Sequence, residues 1–243
     1  MAIGKLSFET VKELMTLIPS RPATILTVGY PDMLVTIDQV RAIFGDAVAQ
    51  EVKFRPDSDA ILKWHGLVGT IDKIIETEHF FSLINAKLTV VDINEVRGGE
   101  IIQDLNGPLR PELEGRFDIV YDGGTLEHLF NIGQAMQNFL RMAKVGGFIY
   151  HNNPLNVPNH GFYNFNPTFY HDFYTDNGHR LVSEITAYFG GPIDTKIVKL
   201  PSTARYKEDL PESWITVVAQ RLHERTAVWP MQTKYKINPN LRK

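Results

Sequence analysis

The sequence has no cysteine, which excludes disulfide bonds, thiolate metal centres and a cysteine nucleophile together. A cysteine-free chain suits a reducing compartment, and a cytoplasmic location is expected. Long apolar runs are missing too. Nothing approaches the roughly 20 apolar residues that cross a bilayer. Lys5, Glu9, Lys12 and Glu13 interrupt the N-terminal segment, so no signal-peptide core is expected. Neither sign of charge dominates. With 25 basic against 28 acidic residues the formal net charge is -3, which gives nucleic acid or an anionic membrane no electrostatic hold as the main partner. Repeats and low-complexity segments are also absent, and the short basic end from Lys234 to Lys243 reads as a solvated tail.

What is present is enough apolar material for one sizeable core. At 243 residues and 43% hydrophobic content, a single domain over 1–243 is expected. Phe8, Val11, Leu14, Met15 and Ile18 share one helical face over 8–18, with Thr10 and Glu13 at capping-box spacing. The β-branched run 23–28 reads as a buried strand ending at Gly29, and Thr36 with Gln39 opens a short helix. From Ser58 to Ala86, Ile61, Trp64, Val68, Ile71 and Ile75 recur at helical intervals, with Gly66 and Gly69 dividing the stretch.

Further strands are expected at 88–92, 100–103, 117–122 and from Phe148. Later candidates lie at 181–189 and 214–219. Gly123-Gly124-Thr125 leads into a helix from Leu126 through Met142 that separates two of them, closed by Gly146-Gly147. Strands alternating with helices point to an α/β fold, a doubly wound and mostly parallel sheet with helices on both faces. In such sheets ligands gather outside the carboxyl ends of the strands. The residues that follow the strands are Gly29, Asp92, Asp104, Asp122 and His151, three of them aspartates.

Asp92 can accept hydrogen bonds from a ribose diol, with Ile93 beside it, or cap a turn with Asn94. Asp104, next to Leu105, can serve an adenine amino group or close an Asx turn at Asn106-Gly107. His151 and His128 are candidate acid–base groups, since a neutral imidazole suits proton transfer near pH 7. Each also reads as a structural histidine. His160 and Tyr163 lie in an Asn- and aromatic-rich loop that could line an acceptor pocket. The aromatic run 162–174 reads equally as core. No histidine spacing resembles a ligand set, so no metal is expected.

The block Phe117-Asp118-Ile119-Val120-Tyr121-Asp122-Gly123-Gly124-Thr125-Leu126-Glu127-His128, followed by 140–148, resembles the fourth and fifth strand motifs of class I S-adenosylmethionine-dependent methyltransferases. The resemblance covers roughly 88–150. A second block, 160–167, is similar to a segment of methyltransferase-like proteins associated with cell-surface glycan synthesis. The resemblance implies a Rossmann-like sheet of seven strands with the last antiparallel. The spacing departs from it: Gly29 and Asp92 lie 63 positions apart where one crossover needs only about 20, so 58–86 reads as a helical insertion between strands one and two, unless strand one is misassigned. The resemblance implies S-adenosylmethionine as cofactor, contacted by Gly29, Tyr30, Asp92, Ile93, Asp104, Leu105, Asp122, Gly123 and His128. It also implies methyl transfer to a small-molecule acceptor, a sugar or nucleotide-linked glycan precursor being the expected class. Oligomeric state is unread.

One stretch departs from that pattern. Where the family carries a glycine-rich turn after strand one, this chain reads Gly29-Tyr30-Pro31-Asp32-Met33. Pro31 has no N–H to offer, Asp32 adds negative charge near the cofactor carboxylate, and Met33 adds bulk. A fold-only relative acting as a binding or regulatory subunit is the alternative this loop favours.

Overall fold

The N-terminal residues form a short strand, β1 (Ala2–Ile3), a helix, α1 (Lys5–Leu17), and a strand, β2 (Ala23–Val28). The computed structural model describes residues 1–191 and 195–238. Phe8, Val11, Leu14 and Met15 make the buried face of α1, as their spacing requires. The helix starts six residues earlier than Thr10 as N-cap would dictate. Gly4 occupies the N-cap, and the Thr10 hydroxyl donates back to the Leu6 carbonyl at 2.9 Å. A strand β3 (Asp32–Met33) pairs parallel with β1. Helix α2 (Ile37–Phe44) opens on the expected Thr36–Gln39 capping box, and α3 (Asp46–Glu51) follows it.

The helical stretch expected over 58–86, divided at Gly66 and Gly69, is two short helices, α4 (Ser58–Trp64) and α5 (Thr77–Leu83). Gly66 and Gly69 take φ of +67° and +80°, values that a helix cannot hold. Ile71, Ile74 and Ile75 are buried from an irregular segment, Ile71 and Ile74 packing with Ile61 and Leu62 of α4 and Ile75 bridging to Met33 and Phe54, so their spacing does not mark a continuous helix. Strand β4 (Ala86–Asp92) then runs parallel to β2, from Ala23↔Ala86 to Val28↔Val91, and β5 (Ile101–Ile102) runs parallel to β4. Full burial of side chains such as Ile25 and Leu26 contributes about 2 kcal/mol each.

These elements make one compact unit, Met1–Ile102; a second spans Gln103–Lys243. Length alone suggested a single domain. In the second unit β6 (Phe117–Asp122) is buried at every residue, which accounts for its unbroken apolar character. The helix expected to follow Thr125 begins later. Leu126–His128 is a single 3-10 turn, and α6 (Ile132–Met142) starts after Asn131, whose side chain caps it. Strand β7 (Ala143–Asn156) follows without a gap and pairs parallel with β6. Gly146-Gly147 therefore lies inside that strand and closes no helix. A Cβ on Gly147 would meet the Phe117 carbonyl oxygen at 2.9 Å.

Helix α7 (Pro167–Asp176) carries most of the aromatic run, with Tyr170, Phe173 and Tyr174 buried. The remaining elements are β8 (Arg180–Leu181), β9 (Thr186–Phe189), β10 (Lys196–Lys199), β11 (Ser213–Gln220) and α8 (Thr233–Ile237). β11 is antiparallel to β7 on one side and β9 on the other, so the expected antiparallel last strand is present. Among the described residues the first unit holds three parallel strands beside its β1–β3 pair, and the second holds six of mixed direction. That makes nine where seven were expected. Part of the expected basic tail, 239–243, lies outside the described residues.

Candidate cofactor cleft and buried carboxylate network

In the first unit the parallel pairing of β2 and β4 sets Gly29 and Asp92 side by side at their carboxyl ends. Gly29 takes φ +86° and donates its N–H to the Val91 carbonyl at 2.7 Å. A Cβ there would lie 3.7 Å from Asp92 Oδ2 and 3.5 Å from Met1 Cβ. Asp92 Oδ1 accepts from the Ile93 and Asn94 amides at 2.7 and 3.2 Å. The turn-capping role is therefore real, and it employs only one of the two carboxylate oxygens. Gly29, Tyr30 and Asp92 line a cleft of about 370 Å³ with Met1, Asp32, Arg55, Trp64 and Arg97, a size that suits a small ligand.

The altered loop is held firmly. The Tyr30 hydroxyl donates to Glu76 Oε1 at 2.6 Å; burial and that carboxylate push its pKa well above the ordinary tyrosine value. Thr77 donates to the Pro31 carbonyl, and the Asp32 amide donates to the Met1 carbonyl. The Asp32 carboxylate is neutralised inside the protein: Arg55 donates to one oxygen at 2.6 Å, and His65 Nε2 lies 3.0 Å from the other. Arg55 also grips Asp57 with two further N–H groups. The Arg97 guanidinium stands 4.2 Å above the Tyr30 ring, bringing positive charge to the cleft. Arg97, Arg55 and Trp64 were invisible as site residues in the sequence because they arrive from separate loops and a helix end.

The second unit contains a hydrogen-bonded network centred on Asp122. Register pairs Asp122 of β6 with His151 of β7, and Asn153 follows on the same face two residues on. Asp122 Oδ1 accepts from the Thr125 and Leu126 amides. Its Oδ2 accepts from His151 Nδ1 at 2.9 Å and from Asn153 Nδ2 at 3.0 Å. That fixes the His151 tautomer, so Nε2 accepts from the Tyr174 hydroxyl at 2.6 Å. The Tyr170 hydroxyl donates to Asn153 Oδ1, and Asn153 Nδ2 reaches Glu127 Oε2 at 2.9 Å. Burial and the Asp122 charge push both tyrosine hydroxyls far above their ordinary range. His151 is fully buried with both nitrogens engaged, which leaves it no lone pair for an acceptor.

Glu127 is the exception in this saturated network. It is fully buried, yet Oε1 accepts no hydrogen bond. Burial and the nearby Asp122 push its carboxyl up to about 7. His160 Nε2 lies 3.4 Å from that oxygen and His128 Nε2 3.9 Å. Burial and the neighbouring His160 hold the His128 pKa below the ordinary histidine value. His160 stands edge-on to Trp214, with ring centroids 4.8 Å apart. Backbone bonding holds this loop in place: the Phe162 amide donates to the Glu127 carbonyl at 2.8 Å, and Gly161 packs where a Cβ would meet that same oxygen at 2.8 Å.

Among the other residues expected at the site, Asp104 closes an Asx turn, its Oδ1 accepting from the backbone and side-chain amides of Asn106. Leu105 is buried, and its carbonyl accepts from Asn138. Gly123 follows β6 directly. Tyr163 donates to the Phe130 carbonyl beside Phe162, and Phe130 and Phe162 are exposed and packed edge to face.

No protein-family model matches the chain, and no curated protein matches it in sequence. Solved structures resembling it include Burkholderia thailandensis 1,6-didemethyltoxoflavin-N1-methyltransferase with S-adenosylhomocysteine bound. That match has 11% identity and TM-score 0.45, over 88% of this chain and 76% of that one. The CMeT domain of the citrinin polyketide synthase matches at 10% identity and TM-score 0.47, over 89% of this chain and 52% of that one. A SAM-dependent methyltransferase from Aquifex aeolicus matches at 11% and 0.40, over 86% and 87%. These neighbours are methyltransferases; likeness at this level leaves the family of this chain open.

Proposed function

We propose that the chain binds S-adenosylmethionine in the first-unit cleft and transfers its methyl group to a small-molecule acceptor. The observation that carries this reading is the turn at Gly29 beside Asp92. A positive-φ glycine brings backbone close to a ligand, and the strand-end carboxylate keeps Oδ2 clear of the amides that occupy Oδ1. Asp92 would take the ribose hydroxyls, and the exposed Trp64 ring offers a stacking face for the base.

The amino-acid end of the cofactor needs a different partner from the usual amide cradle. Gly29 spends its N–H on Val91, Pro31 has none, and Asp32 donates to Met1. The positive charge of Arg97 at the cleft would serve the carboxylate in their place. The cofactor supplies an electrophilic methyl group, and the chain's part is positioning and activating the acceptor. His151 is set aside as the activating base, because both of its nitrogens are occupied.

Saturating S-adenosylhomocysteine should raise the melting temperature, by about 2.7 kcal/mol of added stability at a hundred times Kd. Asp92→Ala should abolish the shift and Arg97→Ala should weaken it. No shift in the wild type would sink the reading. It would favour instead a binding subunit that has kept the fold, a reading supported by Met1 packing against Gly29 at the mouth of the same cleft.

A further inference from the structure

We infer that Glu127, His128 and His160 form a binding site for one divalent transition-metal ion. The three side chains offer one carboxylate oxygen and two imidazole nitrogens, all within 4.8 Å of one another. From Glu127 Oε1 the two nitrogens lie 3.4 and 3.9 Å away. Those are separations that two ligand atoms take when each lies about 2.1 Å from a shared ion. The linear sequence hides this set, because His160 arrives from a loop far downstream of the adjacent Glu127-His128 pair.

A second, independent observation points to a ligand. Glu127 Oε1 is buried and accepts no hydrogen bond, while every other polar atom of the Asp122–His151–Asn153 network is paired. A buried carboxylate oxygen without a donor is costly, and a cation on the side facing both imidazoles would satisfy it. Neither histidine approaches closely enough, at 3.4 and 3.9 Å, to do so as a well-formed hydrogen-bond donor.

The surroundings are built to hold the set. Asn153 fixes the other Glu127 oxygen at 2.9 Å, as a supporting hydrogen bond does for a ligating carboxylate. Trp214 packs against the His160 ring, and the Phe162–Glu127 backbone bond ties the His160 loop to the Glu127 turn. Gly161 is needed there because a side chain would collide with Glu127 itself. Two imidazoles and one carboxylate suit zinc, manganese, cobalt or ferrous iron better than magnesium or calcium, which prefer all-oxygen sets. His128 and His160 are partly exposed, leaving the outer positions of the ion open to water or an acceptor oxygen.

The test uses the full chain without an affinity tag, stripped with a chelator and titrated calorimetrically with zinc. A parallel cobalt titration reads the visible ligand-field bands that imidazole coordination produces. One ion per chain is expected, with a raised melting temperature. Binding should weaken at least tenfold in His128→Ala and His160→Ala, whose partly exposed side chains make misfolding a poor explanation for the loss. Glu127→Gln should also lose the ion, and His171→Ala, outside the cluster, should bind as the wild type does. A wild type that takes up no zinc or cobalt overturns the inference, as do histidine variants that bind equally well. No cofactor or turnover enters this readout, so the site stands or falls separately from methyl transfer.

Discussion

Gly161→Ala places one methyl group where the fold has no room for it. The added Cβ would lie 2.8 Å from the Glu127 carbonyl oxygen, 2.9 Å from Glu127 Cγ and 3.0 Å from its carbonyl carbon. Two of those atoms are backbone, and the third belongs to a side chain fixed by Asn153, so none can swing away cheaply. Overpacking of this kind costs about 1–3 kcal/mol. Parting the loop from the Glu127 turn also strains the Phe162–Glu127 hydrogen bond, worth about 1 kcal/mol. A loss of about 2–3 kcal/mol is expected, which is about 4–12 °C in Tm for a chain of this size. Urea denaturation and thermal melts of the variant measure it. Gly99→Ala is the control, since a Cβ there meets nothing within 4 Å, and should stay within about 0.5 kcal/mol of wild type. Equal stabilities for the two variants would refute the claim that Gly161 is a packing requirement of the Glu127 site.

Asp122→Asn should cost about 2–4 kcal/mol by urea denaturation, because an amide offers one acceptor oxygen to a site where two oxygens receive four donors; a change below 1 kcal/mol would contradict the network. His179 carries a pH dependence. Burial, with His223 and Arg221 nearby, lowers its pKa to about 4, so its stabilising contribution is complete above 6.5 and is lost as pH falls towards 4. On the order of 2–3 kcal/mol is involved. His179→Asn keeps an acceptor near the Leu222 amide that Nδ1 now serves; it should flatten the stability profile between pH 4.5 and 7.5, and an unchanged slope would exclude His179 as the source. Trp64→Ala should leave stability nearly unchanged, since the ring is 85% exposed, while weakening S-adenosylhomocysteine binding. Equal affinity in a titration would remove Trp64 from the cleft's function.

Strands were most legible where a β-branched run is buried on both sides. The runs 23–28 and 117–122 are strands over those same residues. Helices were less so, because apolar spacing does not distinguish a helix from an irregular segment packing the same face. Ile71 and Ile75 show this between Gly69 and α5. Strand pairs two residues long, such as β1 with β3, carry no sequence signal of their own.

At the site, the sequence located the strand-end carboxylates but not which of them faces a cleft. Asp92 and Asp104 each spend one oxygen on a local turn, and Asp92 lines the first-unit cleft. His151 was expected just after a strand, but β7 runs on to Asn156, so it lies inside the strand with the Tyr174 hydroxyl on its Nε2. Asp32 looked like an unfavourable charge until Arg55, distant in sequence, proved to neutralise it, with His65 beside its other oxygen.

A crystal grown with S-adenosylhomocysteine tests the central claim most directly. The account predicts the nucleoside in the first-unit cleft, its ribose hydroxyls within hydrogen-bond reach of Asp92 and its carboxylate towards Arg97. A cleft closed by Met1 and Tyr30, with no nucleoside at saturating concentration, would contradict it.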